Sequence, residues 1–110
     1  MSSRSFSVAR EFSLTPGPRS SKEGPYSGEK LLETLVPLFQ EAIESDSELE
    51  IDLDGTAGYA TSFLEAVFGG LVRQFGRVQV TERLKLVSKD EPYLIDEILG
   101  YVKDAGEHAR

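Results

Sequence analysis

Two aspartates stand one residue apart in Asp52-Leu53-Asp54-Gly55-Thr56, where an apolar alternation meets a glycine. Carboxylates so placed at the end of a strand can share the work of phosphoryl transfer. The first attacks phosphorus and becomes an aspartyl-phosphate, the second moves the proton, and a magnesium ion neutralises the phosphate. The complete chemistry also needs a Ser or Thr, a Lys and a further acidic pair on later strands. Only 54 residues follow Thr56, and they offer no clear set. The plainer reading is that Asp52 and Asp54 are polar-face residues of a half-exposed strand running into a turn.

The same five residues resemble the DxDGT signature of haloacid-dehalogenase-type phosphatases, so a magnesium-dependent phosphatase is the competing functional reading. Motifs this short also match by chance. Gly24-Pro25-Tyr26-Ser27-Gly28-Glu29-Lys30 has the glycines and lysine of a phosphate-cradling loop but not their spacing. Its Lys does not follow the second Gly directly, no hydroxyl residue follows the Lys, and Pro25 has no N–H to offer. A capped helix start explains it better. His108 is the one histidine and lies in a charged tail, where solvation is expected. With no second imidazole a serine-hydrolase triad would need another base, and none is indicated. No catalytic residue, cofactor or metal is assigned.

These residues depend on the stretch from Leu49 to Gly76. Leu49, Ile51 and Leu53 alternate with Glu50, Asp52 and Asp54, the period of a strand with one apolar face. Beyond Gly58 the spacing becomes helical through Leu64, Val67, Phe68, Leu71, Val72 and Phe75, with Thr61 or Ser62 expected as N-cap. Upstream, residues 6–14 are expected to form a weak edge strand carrying Phe6, Val8, Phe12 and Leu14. Residues 15–26, rich in proline and glycine, are expected to form a long mobile loop. Ser27 should cap a helix running to Ser45 on Leu31, Leu32, Leu35, Leu38, Phe39, Ala42 and Ile43, kinked or split near Pro37. Downstream, Gly76 is expected to end the central helix. Residues 77–83 stay open between a short strand and an irregular crossover. Residues 84–88 read as a last strand. Ser88 and Glu91 have the spacing of a capping box, with Pro92 in the first turn of a helix that buries Leu94, Ile95, Ile98, Leu99, Tyr101, Val102 and Ala105 and stops at Gly106.

The order strand, helix, strand, helix, strand, helix predicts a single α/β domain over residues 1–110 with a mostly parallel sheet. Fully sandwiched parallel strands are continuously apolar, so the acidic alternation at Glu50, Asp52 and Asp54 places the helices mainly on one face. The other face and a weak edge strand leave a homodimer open as an expectation. The net charge is −7, and residues 1–30 carry five Lys/Arg against three Asp/Glu. The remainder is strongly acidic, which disfavours nucleic acid. The chain has no cysteine, no apolar run of membrane-spanning length and no signal-peptide core in residues 1–12. A cytoplasmic location is expected.

Ser62-Phe63-Leu64-Glu65-Ala66-Val67-Phe68-Gly69-Gly70-Leu71, with Leu53-Asp54-Gly55, Pro16-Gly17 and Ser27-Gly28-Glu29, resembles the STAS-like family of small bacterial domains of unknown function. The resemblance covers nearly the whole chain. It implies the STAS fold shared with anti-sigma-factor antagonists, and hence a non-enzymatic regulatory or scaffolding role through a protein partner, with an ATPase of the histidine-kinase type as the partner class. The antagonists carry Asp-Ser-Ser-Gly at a helix N-terminus, its first Ser phosphorylated by that partner. On this chain the four positions fall at Ala60, Thr61, Ser62 and Phe63, three of which differ. Tyr59, Thr61 and Ser62 are therefore the candidate partner or phospho-switch surface, with helix capping as the plain role of the two hydroxyls.

Overall fold

The computed structural model describes residues 4–108. Three strands, β1 (Arg4–Ser7), β2 (Leu49–Asp52) and β3 (Leu84–Val87), form one parallel sheet in the order β1-β2-β3. In register, Phe6, Ile51 and Leu86 line up on one face, while Ser5, Glu50 and Lys85, then Ser7, Asp52 and Val87, line up on the other. Leu49 and Ile51 are fully buried, and Glu50 and Asp52 between them are only partly covered. The expected one-sided α/β layer is the architecture found.

Beneath the apolar face lie α2 (Gly28–Glu44), a central helix and α6 (Tyr93–His108). The central helix runs without interruption over 61–75: α3 (Thr61–Leu64), a π-helical stretch at Glu65–Gly69, then α4 (Gly70–Phe75). From Phe63 to Val72 every residue except Glu65 is buried. A helix apolar on nearly all sides belongs inside a core, and each large side chain so buried contributes about 1.5–3 kcal/mol. α2 begins at Ser27 as the capping pattern predicts, the Ser27 hydroxyl accepting from Lys30 N at 3.0 Å. Pro37 does not split it into two helices.

Two glycines set the spacing of these helices. A Cβ on Gly28 would stand 2.8 Å from the Phe63 carbonyl oxygen and 2.9 Å from Ala66 Cβ, and one on Gly70 2.5 Å from a Leu32 methyl. α2 and the central helix thus touch twice where only hydrogen fits. The cost of about 1 kcal/mol for glycine in a helix is offset here by close packing.

Five expectations outside the candidate site need correction. Residues 6–14 are not one strand. After Ser7 the chain turns into α1 (Val8–Glu11), because the Ser7 hydroxyl accepts from Arg10 N while the Glu11 carboxylate accepts from Ser7 N at 2.9 Å. Residues 77–83 are neither strand nor irregular but helical, α5 (Arg77–Arg83). Gly76 at φ 92° redirects the chain, Val80 is buried, and Arg83 donates to the Ser47 carbonyl and pairs with Asp46. Ser88 and Glu91 make no capping box, since the Ser88 hydroxyl donates to the Glu91 carbonyl at 2.7 Å and α6 starts after Pro92. Leu99 is half exposed, outside the stripe of Leu94, Ile98, Val102 and Ala105. Gly106 does not end α6 but lets it pass the Arg77 side chain, which a Cβ would meet at 2.7 Å. The side chain of His108 and residues 1–3, 109 and 110 lie outside the described residues.

Candidate functional site

Residues 55–62 follow the C-terminal end of β2 and take in the first two residues of the central helix, Thr61 and Ser62. In parallel sheets this end, where strands run into helix N-termini, is the usual place for binding. Three ties fix the turn. The Asp54 carboxylate accepts from the backbone N–H of Lys89 at 2.8 Å and of Asp90 at 2.9 Å, joining the turn to the segment after β3. These backbone bonds from Asp90 and Lys89 hold its carboxyl below the usual aspartate value. Ala57 N donates to the Leu14 carbonyl at 2.8 Å, joining it to the N-terminal segment. Inside the turn, the Tyr59 hydroxyl donates to the Leu53 carbonyl at 2.8 Å, and its ring lies 5.9 Å from that of Phe63.

Tyr59 is thus turned inward. Burial raises its hydroxyl to a pKa of about 12, helped by Asp52, Asp54 and Glu91 and opposed by the Thr56 hydroxyl. Thr61 and Ser62 are exposed, and neither caps the helix as the sequence suggests. The N-cap is Ala60, whose methyl side chain cannot accept a hydrogen bond. The chain enters the helix one residue earlier than a hydroxyl cap requires, because Phe63 and Leu64 must both reach the core. Thr61 sits beside Tyr101, whose hydroxyl donates to Glu97 at 2.7 Å and titrates above its ordinary value through burial and that carboxylate.

Sequence reasoning missed two neighbours of the turn. Leu14, 63% exposed, and Tyr26, 49% exposed, close the proline-rich loop at its two ends. Tyr26 meets Phe12 edge-on at 5.8 Å, and Phe12 in turn packs 6.2 Å from Phe63. Tyr26 inside a polar loop was an available signal, but only the folded chain sets Leu14 against Ala57 and links Tyr26 through Phe12 to Phe63.

Asp52 and Asp54 border a concavity of about 690 Å³ with Ser7, Arg10, Gly55 and Asp90. Asp52 Oδ1 accepts from Asp54 N at 3.0 Å, the bond that turns the chain out of β2. Both carboxylates of the DxDGT motif therefore hold backbone groups. Among the described residues no three of His, Cys, Asp and Glu are grouped to hold a metal ion, and no helix is long and apolar enough to cross a membrane.

A family model, STAS-like domain of unknown function (DUF4325), matches residues 27–94. The chain belongs to this STAS-like family. The match runs from the cap of α2 through the central helix and the candidate turn to the first turn of α6. Neither a curated protein nor a solved structure matches the chain.

Proposed function

We propose that this STAS-like domain is a non-enzymatic, cytoplasmic regulatory or scaffolding module that binds a protein partner through the turn at 55–62 and its two flanking side chains. One observation carries the reading. The turn presents Ala57, Ala60, Thr61 and Ser62 to solvent beside exposed Leu14, with exposed Tyr26 linked to it through Phe12 and Phe63, while backbone bonds and the central helix hold it in place. A preorganised surface mixing apolar and hydroxyl groups suits a protein interface, because little ordering entropy remains to be lost on docking. An ATPase of the histidine-kinase type is the partner class that family kinship suggests, and a phosphate on Thr61 or Ser62 would add two negative charges at a helix N-terminus that can accommodate them.

The carboxylates that would serve a phosphatase are engaged in holding the turn, which favours the binding reading. The test has two arms. The purified domain, incubated with generic phosphate esters and magnesium, should show no turnover that Asp52→Asn abolishes. A candidate ATPase co-expressed with the chain should bind it in a titration, and Thr61→Glu and Leu14→Asp should each weaken binding tenfold or more in correctly folded protein. Turnover lost in Asp52→Asn, or unchanged affinity in both surface variants, overturns the proposal.

A further inference from the structure

The segment 15–26 arches from the candidate turn to the start of α2, and its construction differs from the rest of the chain. None of its residues is buried. Its two ends are closed by Gly17 N donating to the Tyr26 carbonyl at 2.8 Å. It covers the first turn of α2, where Gly28 N and Glu29 N donate to the Pro18 and Arg19 carbonyls, and Ser21 N donates to the Glu29 carboxylate at 2.8 Å. Its polar tie to the central helix is one side chain, Arg19, which donates to the Ser62 carbonyl and pairs with the Glu65 carboxylate.

Glu65 is the one incompletely buried residue between Phe63 and Val72, and it faces two guanidiniums. Arg73 binds its second oxygen at 2.9 Å from eight residues further along. Glu65 and Arg73 stand about two helical turns apart, and Gly69, midway between them in the π-helical stretch and lying directly under both side chains, leaves room for them to meet. Burial pushes the Glu65 carboxyl up, but the bonds and charges of Arg73 and Arg19 outweigh it and leave it below the usual range. Arg19 and Arg73 also wall a concavity of about 430 Å³ between α2 and the central helix, floored by Leu32, Ala66 and Gly70.

We infer that residues 15–26 form a strap latched by the Arg19–Glu65 pair, and that releasing this pair opens the strap and the adjoining groove while the core stays folded. A segment with no buried residue, held by exposed hydrogen bonds to α2 and one side-chain tie to the central helix, belongs to the low end of local stability. An ionic latch sets that stability without involving the core. The groove then opens from the side of Ser62, so the strap controls access to a surface next to the proposed contact turn. The inference rests on the packing of the strap and stands whether or not that turn binds a partner.

Hydrogen exchange of the full chain tests it, read at the amides of Gly17, Ser21, Gly28 and Glu29 against those of Ile51 and Leu53. Arg19→Ala and Glu65→Gln should each speed exchange in the strap by about three- to fivefold, the range expected of one partly exposed ion pair. The double variant should be no faster than Arg19→Ala alone, which also removes the bond to the Ser62 carbonyl. Added salt should speed the wild-type strap and leave Glu65→Gln unchanged. Ile51 and Leu53 should keep their rates throughout. Strap rates unchanged in Arg19→Ala would show that backbone bonds alone hold the segment, and core amides accelerating in step with the strap would show that it does not open separately. Either result overturns the latch.

Discussion

Replacing Tyr59 with Phe removes one oxygen and asks whether this residue serves the core or the surface. The lost group is the hydroxyl that donates to the Leu53 carbonyl at 2.8 Å, while the ring keeps its contact with Phe63. A single hydrogen bond of this kind is worth about 0.5–1.5 kcal/mol net, and the carbonyl left behind is half sheltered, which places the loss near the upper end, about 1–1.5 kcal/mol. In a domain of this size that lowers the melting temperature by about 4–6 °C. Urea denaturation at pH 7 should show a lower midpoint with an unchanged slope, because the surface exposed on unfolding is the same. Alkaline pH supplies a second reading. Since the folded pKa is raised to about 12 from 10.0, the hydroxyl contributes stability that is fully present below pH 10 and lost as pH rises through 12. The gap between wild type and Tyr59→Phe should therefore narrow across that window. Equal stability at pH 7, or a gap that persists to pH 12, would refute the inward role of Tyr59.

Thr61→Glu should leave stability within about 0.5 kcal/mol of wild type, since an acidic group in the first helical turn is favoured while Glu97 nearby opposes it; thermal unfolding measures this. Gly28→Ala should destabilise by about 1–3 kcal/mol in denaturant titration although alanine is the better helix former, because its methyl would press on the Phe63 carbonyl and Ala66. Asp54→Asn tests the tie to Lys89 and Asp90. With the folded pKa lowered from 3.8, the wild-type carboxylate contributes stability present above about pH 4 and lost as pH falls through the folded value, so the gap between wild type and variant in acid denaturation should close below pH 4.

The alternation of Leu49, Ile51 and Leu53 with acidic residues by itself determined a one-sided sheet, because a strand has only two faces and charge cannot be buried unpaired on either. The cap at Ser27 and the end at Gly76 were equally legible as local rules acting within a few residues, and the helix between successive strands made the parallel sheet legible too. Short segments were not. Residues 77–83 stay open between strand and irregular crossover, yet they fold as helix, with Gly76 turning the chain and Val80 finding a place in the core that Val78 does not share. Ser88 and Thr61 have the chemistry of caps and do not act as caps, because the burial of distant residues fixed where each helix starts.

The candidate site divides along the same line. That a turn with Tyr59, Thr61 and Ser62 follows the central strand is a matter of sequence order. That Tyr59 points inward, that Asp54 joins two loops, that Leu14 arrives beside the turn and that Tyr26 is linked to Phe63 through Phe12 were decided only in three dimensions. So was the meeting of Arg19, Glu65 and Arg73, since Arg19 is 46 residues from Glu65 along the chain. Side chains at such separations meet because the core brings their elements together, and local spacing carries no trace of that.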